Sequence, residues 1–189
     1  MVHRIAGFGV LAVALVAGCH ASGPRPSELG PKVGDEARDF ELTDLAGEKV
    51  KLSALAEKGP VVLVVLRGNP GYQCPICTAQ FAEFRRKAGA FAKAGAQVCF
   101  VYPGPADGLK EHAAAFVRGE DYPAHFRILL DPDYAFTTAY GLRWDASGET
   151  ARPAAFVIDG TRKVAFAKVS TDHGGRASAA EVLAALPGK

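Results

Sequence analysis

Two cysteines spaced two residues apart, Cys74 and Cys77 in the stretch "PGYQCPIC" (residues 70–77), are the side chains of this sequence best suited to do chemistry. A thiolate is a strong nucleophile, and a neighbouring thiol can capture the product of its attack as a disulfide. Pro75 suits the first position of a helix, because its φ is already helical and its missing N–H would have no partner there. Cys74 then stands at the N-cap, where free backbone N–H groups and the positive end of the helix dipole favour an anion. Such surroundings lower a cysteine pKa from ~8.5 to between ~3.5 and 7.5. Cys77, three residues on, shares the same helix face, lies within disulfide reach and sits one turn deeper. Cys74 is therefore expected to attack and Cys77 to resolve.

Competing uses of the pair are weaker. A structural disulfide closing so small a loop would restrict the unfolded chain only slightly. Structural zinc usually takes a second pair of ligands, and Thr78 stands where a c-type haem motif requires histidine. Cys99, inside the apolar run "QVCFVY", reads as a small core hydrophobe. Gln80 and Glu83 follow Cys77 at helical spacing, and Gln80 is a secondary candidate for hydrogen bonding near the thiols. His112, His125 and His173 show no ligand-like spacing, and Asp131 and Asp133 flank Pro132 as turn residues.

The elements that must hold the cysteines are legible from hydrophobic pattern. Phe40 to Leu42 and Val50 to Leu52 alternate around a polar turn, as a half-buried hairpin does. "PVVLVVL", from Pro60 to Leu66, is a continuous β-branched run of the kind found in a strand covered on both faces. Apolar residues at Ile76, Phe81, Phe84, Ala88 and Phe91 predict a helix from Pro75 to Lys93, and a second buried strand follows from Ala96 to Tyr102. Strand, helix and strand at this spacing form a βαβ unit with parallel strands. Beyond it the sequence predicts a helix near Gly108 to Arg118, a strand at Arg127 to Leu130 and a short helix before Tyr140. Strands at Ala154 to Ile158 and Val164 to Val169 follow, then a helix capped by Ser178 with Glu181 three residues later.

The chain has 189 residues, 49% hydrophobic and 22% charged, with a net charge of +2. That suffices for one core and leaves no basic footprint for nucleic acid. The N-terminus differs from the rest. Basic residues precede an apolar stretch, Ile5 to Ala17, that is short for a membrane span and reads as an export signal. Leu15-Val16-Ala17-Gly18-Cys19 resembles the lipobox of bacterial lipoproteins, which implies cleavage before a lipidated Cys19. The expected organisation is a signal at residues 1–18, a Pro/Gly/Ser-rich tether at 19–34 and one domain at 35–187. Localisation is then the cell envelope, with the exported protein held to a membrane by its N-terminal lipid.

A parallel βαβ followed by an antiparallel ββα, with paired cysteines after the first strand, is the arrangement of the thioredoxin fold. The stretches "KVGDEARDFELTDLAGEKVKLSAL", "VVLVVLRGNPGYQCPICTAQ" and "ARPAAFVIDGTRKVAFAKVS" resemble peroxiredoxin-like redoxins of the alkyl hydroperoxide reductase and thiol-specific antioxidant superfamily, and also membrane-anchored thiol:disulfide oxidoreductases. The resemblance implies an α/β, thioredoxin-like fold: a central mixed sheet with helices on both faces, preceded by an N-terminal β-hairpin. It further implies a cis bond at Arg152-Pro153, facing the cysteines and exposing the Arg152 backbone to an extended substrate chain.

Laid on the peroxiredoxin pattern, Pro70 matches its proline, Cys74 falls at its hydroxyl position and Cys77 at its peroxide-attacking cysteine. Pro153 stands where that pattern has an arginine, so Arg67 and Arg152 are the nearest substitutes. The implied function is an exported thiol-dependent antioxidant that reduces peroxides through the Cys74/Cys77 dithiol and is restored by a thiol reductant, either a protein or a small thiol. The alternative is a thioredoxin-like oxidoreductase acting on protein disulfides. A non-enzymatic metal carrier using Cys74, Cys77 and His173 is the reading from a different class. The enzyme readings call for no organic cofactor and no metal.

Overall fold

A computed structural model describes residues 29–119 and 121–187 together with Met1. The expected signal, Cys19 and most of the expected tether lie outside the described residues. The end of that tether is packed: the Gly34 N–H donates to the Val164 carbonyl at 2.9 Å, and Gly30 lies against Leu142, Val169 and Phe156.

Among the described residues seven strands form one mixed sheet. β1 (Glu41–Asp44) and β2 (Lys49–Lys51) make the expected hairpin, which joins the sheet where β1 pairs antiparallel with β5 (Phe126–Pro132). At the centre, β3 (Val61–Val65) runs parallel to β4 (Gln97–Gly104), and β4 runs parallel to β5. β6 (Ala154–Ile158) and β7 (Val164–Val169) complete the other side antiparallel, in the order β2-β1-β5-β4-β3-β6-β7. All five residues of β3 are buried, because helices cover both faces. Its even-numbered residues Val62 and Val64 meet α2 (Pro75–Arg86), α3 (Ala88–Lys93), α4 (Leu109–Val117) and α6 (Ala179–Ala184). Its odd-numbered residues meet α1 (Leu52–Ala56) and α5 (Ala135–Ala139).

The helix expected from Pro75 to Lys93 is two helices. Lys87, at φ −101° and ψ 7°, leaves the helical region and turns the chain there. The bend stacks Phe91 on Phe84 at 5.4 Å, while Phe81 meets Phe100 of β4 edge-on at 5.0 Å. Each such side chain contributes roughly 1.5–3 kcal/mol by burial, which outweighs the few hydrogen bonds lost at the break. Ile76 departs from the expected apolar face and is 44% exposed. The closing helix carries the expected capping box, with Ser178 and Glu181 bonded in both directions.

Candidate active site

The site forms where β3 runs out at its carboxyl end, the place where open α/β sheets leave a crevice. Gly68 turns the chain there at φ +75°, and a Cβ at that position would strike the carbonyl of Pro103, so only glycine passes. Pro70 is half-buried in the turn that follows, where the Asn69 side chain accepts from the Gly71 N–H at 2.8 Å. Gln73 then fastens the loop on two sides. Its carbonyl accepts from the Tyr102 hydroxyl at 3.0 Å and its amide donates to the His112 carbonyl at 2.8 Å.

Cys74 takes the extended N-cap conformation before Pro75, and its sulfur accepts from the Cys77 backbone N–H at 3.4 Å. The Cys74 pKa is lowered to about 5. The largest cause is the hydrogen bond from the Cys77 thiol, which outweighs burial; the Cys77 N–H and the charges of Arg176 and Arg67 add to it. Cys77 is pushed the opposite way, first by serving as that donor and then by burial. One sulfur is thus set up as the anion and the other as the proton holder. Cys77 is the deeper of the two, as expected, but the margin is slight: Cys74 is itself only 3% exposed and Cys77 1%.

A cation that the sequence did not single out lies across both sulfurs. Arg176 Nη1 is 3.3 Å from Cys77 Sγ, and its Nη2 is 3.8 Å from Cys74 Sγ. It reaches them from the loop between β7 and α6, a hundred residues along the chain, where two glycines precede it. That Gly-Gly-Arg stretch ahead of a capped helix was its only signal in the sequence. Gln80 is drawn into the same group. Buried, it donates to the Ala177 carbonyl at 3.0 Å and accepts from Arg176 at 3.2 Å. Glu83 ties α2 to α6 by accepting from the Ala179 N–H at 2.9 Å.

Of the two arginines considered as substitutes, Arg67 lies nearer the chemistry. It is buried, pairs with Glu149 at 2.9 Å, donates to the Tyr72 hydroxyl at 2.7 Å and to the Gly148 carbonyl at 3.0 Å. Burial works against its charge, but the bonds to Tyr72 and Glu149 outweigh it, so its field reaches Cys74 undiminished by deprotonation. Arg152 points elsewhere: its guanidinium stacks over Trp144 at 4.6 Å and donates to the Thr171 carbonyl at 3.1 Å.

Two expectations need correction. Among the described residues every peptide bond is trans, including Arg152-Pro153. The Arg152 N–H is also already used, donating to the Leu142 carbonyl at 2.8 Å, so it has no free donor to offer a substrate chain. Pro153 is buried at the start of β6, with its carbonyl accepting from the Ser170 N–H at 2.8 Å. His173, for which the spacing offers no ligand role, is a satisfied side chain in the site's surroundings: its ring bonds Glu149 at 2.9 Å. That contact turns it to the carboxylate, and among the described residues no group of three His, Cys, Asp or Glu side chains is placed to hold a metal ion. Cys99 is fully buried with its pKa raised to about 12, as a core thiol should be, and Asp131 caps α5 by accepting from the Phe136 and Thr137 N–H groups.

Comparison with known proteins agrees with this geometry. Residues 33–167 match the model of the AhpC/TSA family. A Mycobacterium tuberculosis protein named "Putative peroxiredoxin Rv1608c" is 33% identical over 157 residues, covering 82% of this chain and 96% of the relative. Among solved structures, Peroxidoxin BcpB from Mycobacterium tuberculosis superposes with a TM-score of 0.66 at 26% identity, over 84% of this chain and 97% of that one. Reduced Prx3 from Vibrio vulnificus shares the fold with a TM-score of 0.68 at 21% identity, over 83% of this chain and 99% of its own. With a thioredoxin-like sheet, an N-capped cysteine beside a second thiol and a match over most of its length, the chain belongs to the AhpC/TSA family and is a peroxiredoxin-like, thiol-based oxidoreductase.

Proposed function

We propose that the protein reduces peroxides, with Cys74 as the attacking sulfur and Cys77 as the resolving one. The observation that carries this reading is the convergence of the Cys77 N–H and the Arg176 guanidinium on the Cys74 sulfur at the start of α2. The Cys74 thiolate attacks one peroxide oxygen; an S–O bond forms, the O–O bond breaks, and the leaving oxygen takes a proton to depart as water or an alcohol. Cys74 is then a neutral sulfenic acid. With the neighbouring anion gone, the main reason for Cys77 to hold its proton disappears, and Arg176 at 3.3 Å favours its ionisation. The Cys77 thiolate attacks the Cys74 sulfur; the S–S bond forms, the S–O bond breaks, and the leaving hydroxide takes a proton to depart as water. Two electrons from an external dithiol, or from two small thiols, restore the pair.

Peroxide is favoured over a protein disulfide on two grounds. A cysteine only 3% exposed admits a two-oxygen substrate more readily than the disulfide of a folded partner. The backbone that would have paired with an extended chain is already bonded inward through the Arg152 N–H. The test mixes reduced protein with hydrogen peroxide in one arm and with insulin in the other, following thiol loss at Cys74 and Cys77. Fast loss with peroxide and slow loss with insulin is expected; the reverse would assign thiol:disulfide exchange instead.

The second part of the reading concerns location. We infer, from the run ending in Leu15-Val16-Ala17-Gly18-Cys19, an exported protein cleaved before Cys19 and held to a membrane of the cell envelope by lipid on that residue. Labelled fatty acid should be incorporated by the full chain in a bacterial host and lost from a Cys19→Ser variant. Equal labelling of both would remove the anchor.

A further inference from the structure

We propose that His173 is a positioning residue that holds Arg176 on the two sulfurs without touching them itself. The inference rests on the role given to the Cys74/Cys77 pair above. Arg176 is carried by a loop that leaves β7 at Val169 and enters α6 at Ala179. At the near end of that loop, the Ser170 hydroxyl donates to the Asp172 carbonyl at 2.9 Å and to that of Gly174, and Arg152 bonds the Thr171 carbonyl. The backbone turns again at Gly175, with φ +59°. These contacts give the loop its shape but do not dock its tip.

Docking comes from the imidazole on one side and, on the other, from Gln80, which bonds Arg176 Nη1 and the Ala177 carbonyl. His173 Nε2 bonds Glu149 Oε1 at 2.9 Å, and its ring packs on Trp144 at 5.3 Å. Glu149 is an unusually firm post, since its other oxygen is held at 2.9 Å by buried Arg67, whose Nη2 bonds Gly148 next door. With the ring fixed, the His173 carbonyl is fixed as well, and it accepts from Arg176 Nε at 3.0 Å. A guanidinium pinned at Nε has both Nη groups left to point at one place. Here they point at Cys77 Sγ and Cys74 Sγ. A chain of contacts thus runs from Arg67 through Glu149 and His173 to Arg176, and joins two cations that a hundred residues separate.

The chain predicts coupling of a stated form. If His173 acts through Arg176, removing it matters only while Arg176 is present. The experiment uses the reduced full-length protein as wild type, His173→Ala, His173→Gln, Arg176→Ala and the His173→Ala/Arg176→Ala double variant. Alkylation by iodoacetamide is followed from pH 4 to 9 and mapped to Cys74 and Cys77 by peptide mass. His173→Ala is expected to lower the thiolate fraction at pH 5 by about threefold, part of the roughly fivefold that a one-unit rise from about 5 would produce at that pH. His173→Gln, which can still donate to Glu149, should recover most of it, and this separates positioning from loss of fold.

In the Arg176→Ala background, His173→Ala should change nothing further. A His173→Ala effect that persists undiminished without Arg176 would overturn the inference, as would an unchanged profile in His173→Ala alone. Mapping keeps the two readings distinct. If the low-pH alkylation falls on Cys77, the assignment of Cys74 as nucleophile fails, and the same cycle scored on Cys77 still decides the role of His173.

Discussion

Peroxide consumption by a Cys74→Ser variant is expected to fall by about 10³-fold or more, because the attacking nucleophile itself is removed. A Cys77→Ser variant should behave differently. It should consume about one equivalent of peroxide at a rate within a few-fold of wild type and then stop, its Cys74 trapped as sulfenic acid. Stopped-flow peroxide loss with a sulfenic-acid trap reads both results. The asymmetry follows from the site: the Cys77 N–H and thiol both point hydrogen at Cys74, and none is directed back. A hydroxyl at position 77 is a better hydrogen-bond donor than the thiol it replaces, so Cys77→Ser should leave Cys74 an anion at neutral pH. Should Cys74→Ser keep its fast first turnover while Cys77→Ser loses it, the roles are exchanged, and the alternative register with Cys77 as the attacking sulfur is the operative one.

Arg176→Ala is the second large change, and its effect has two separable parts. Cys74 has a pKa of about 5, so in the wild type the peroxide rate should rise as pH increases through about 5 and level off towards neutrality. Losing a half-buried cation 3.8 Å from the sulfur moves that inflection upward by up to about one pKa unit, discounted for partial solvent screening. At pH 5 this alone lowers the thiolate fraction by up to about fivefold, and at pH 7 hardly at all. A loss of roughly 10²-fold that persists at pH 7 is expected in addition, because the same donor steadies the charge passing to the leaving oxygen. Arg176→Lys should recover the pH profile better than the rate, since it restores the charge without the two-pronged geometry.

Stability carries the same signature. The thiolate favours the fold because its pKa there lies below the unfolded value of ~8.5. The gain is complete above ~8.5 and is lost as pH falls through about 5. Denaturant midpoints of the reduced protein between pH 4 and 9 should therefore slope upward, and Cys74→Ser should flatten that part of the curve. A parallel slope in the variant would show that Cys74 is not the group titrating.

How far the sequence could be read depended on the range of each interaction. The strand "PVVLVVL" and the hairpin strands around Asp159 were legible because burial imposes a local pattern, and β3, β6 and β7 fall where that pattern placed them. The capping box at Ser178 was legible for the same reason, since its partners lie three residues apart. The break at Lys87 was not, because it is decided by where Phe91 meets Phe84 once both are packed, and that distance has no local signature. Pro153 shows the reverse error. A position matched by pattern was assigned a cis bond and a free backbone donor, yet the Arg152 N–H is used by Leu142, a partner fixed only when the 142–152 segment folds back on itself.

The sequence by itself determined that Cys74 and Cys77 stand together at the start of a helix. Cys74, Pro75 and Cys77 are neighbours, and their placing at a helix start follows from proline geometry and helix periodicity, which act over a single turn. Only the tertiary structure decided which cation serves them. Arg67 and Arg152 were nearer along the chain or closer to the expected register, but Arg176 is the one set across both sulfurs, with Arg67 paired to Glu149 and adding its charge at Cys74. Electrostatic partnership depends on distance through space, and the loop that carries Arg176 reaches the cysteines only after β6, β7 and α6 have closed that side of the sheet.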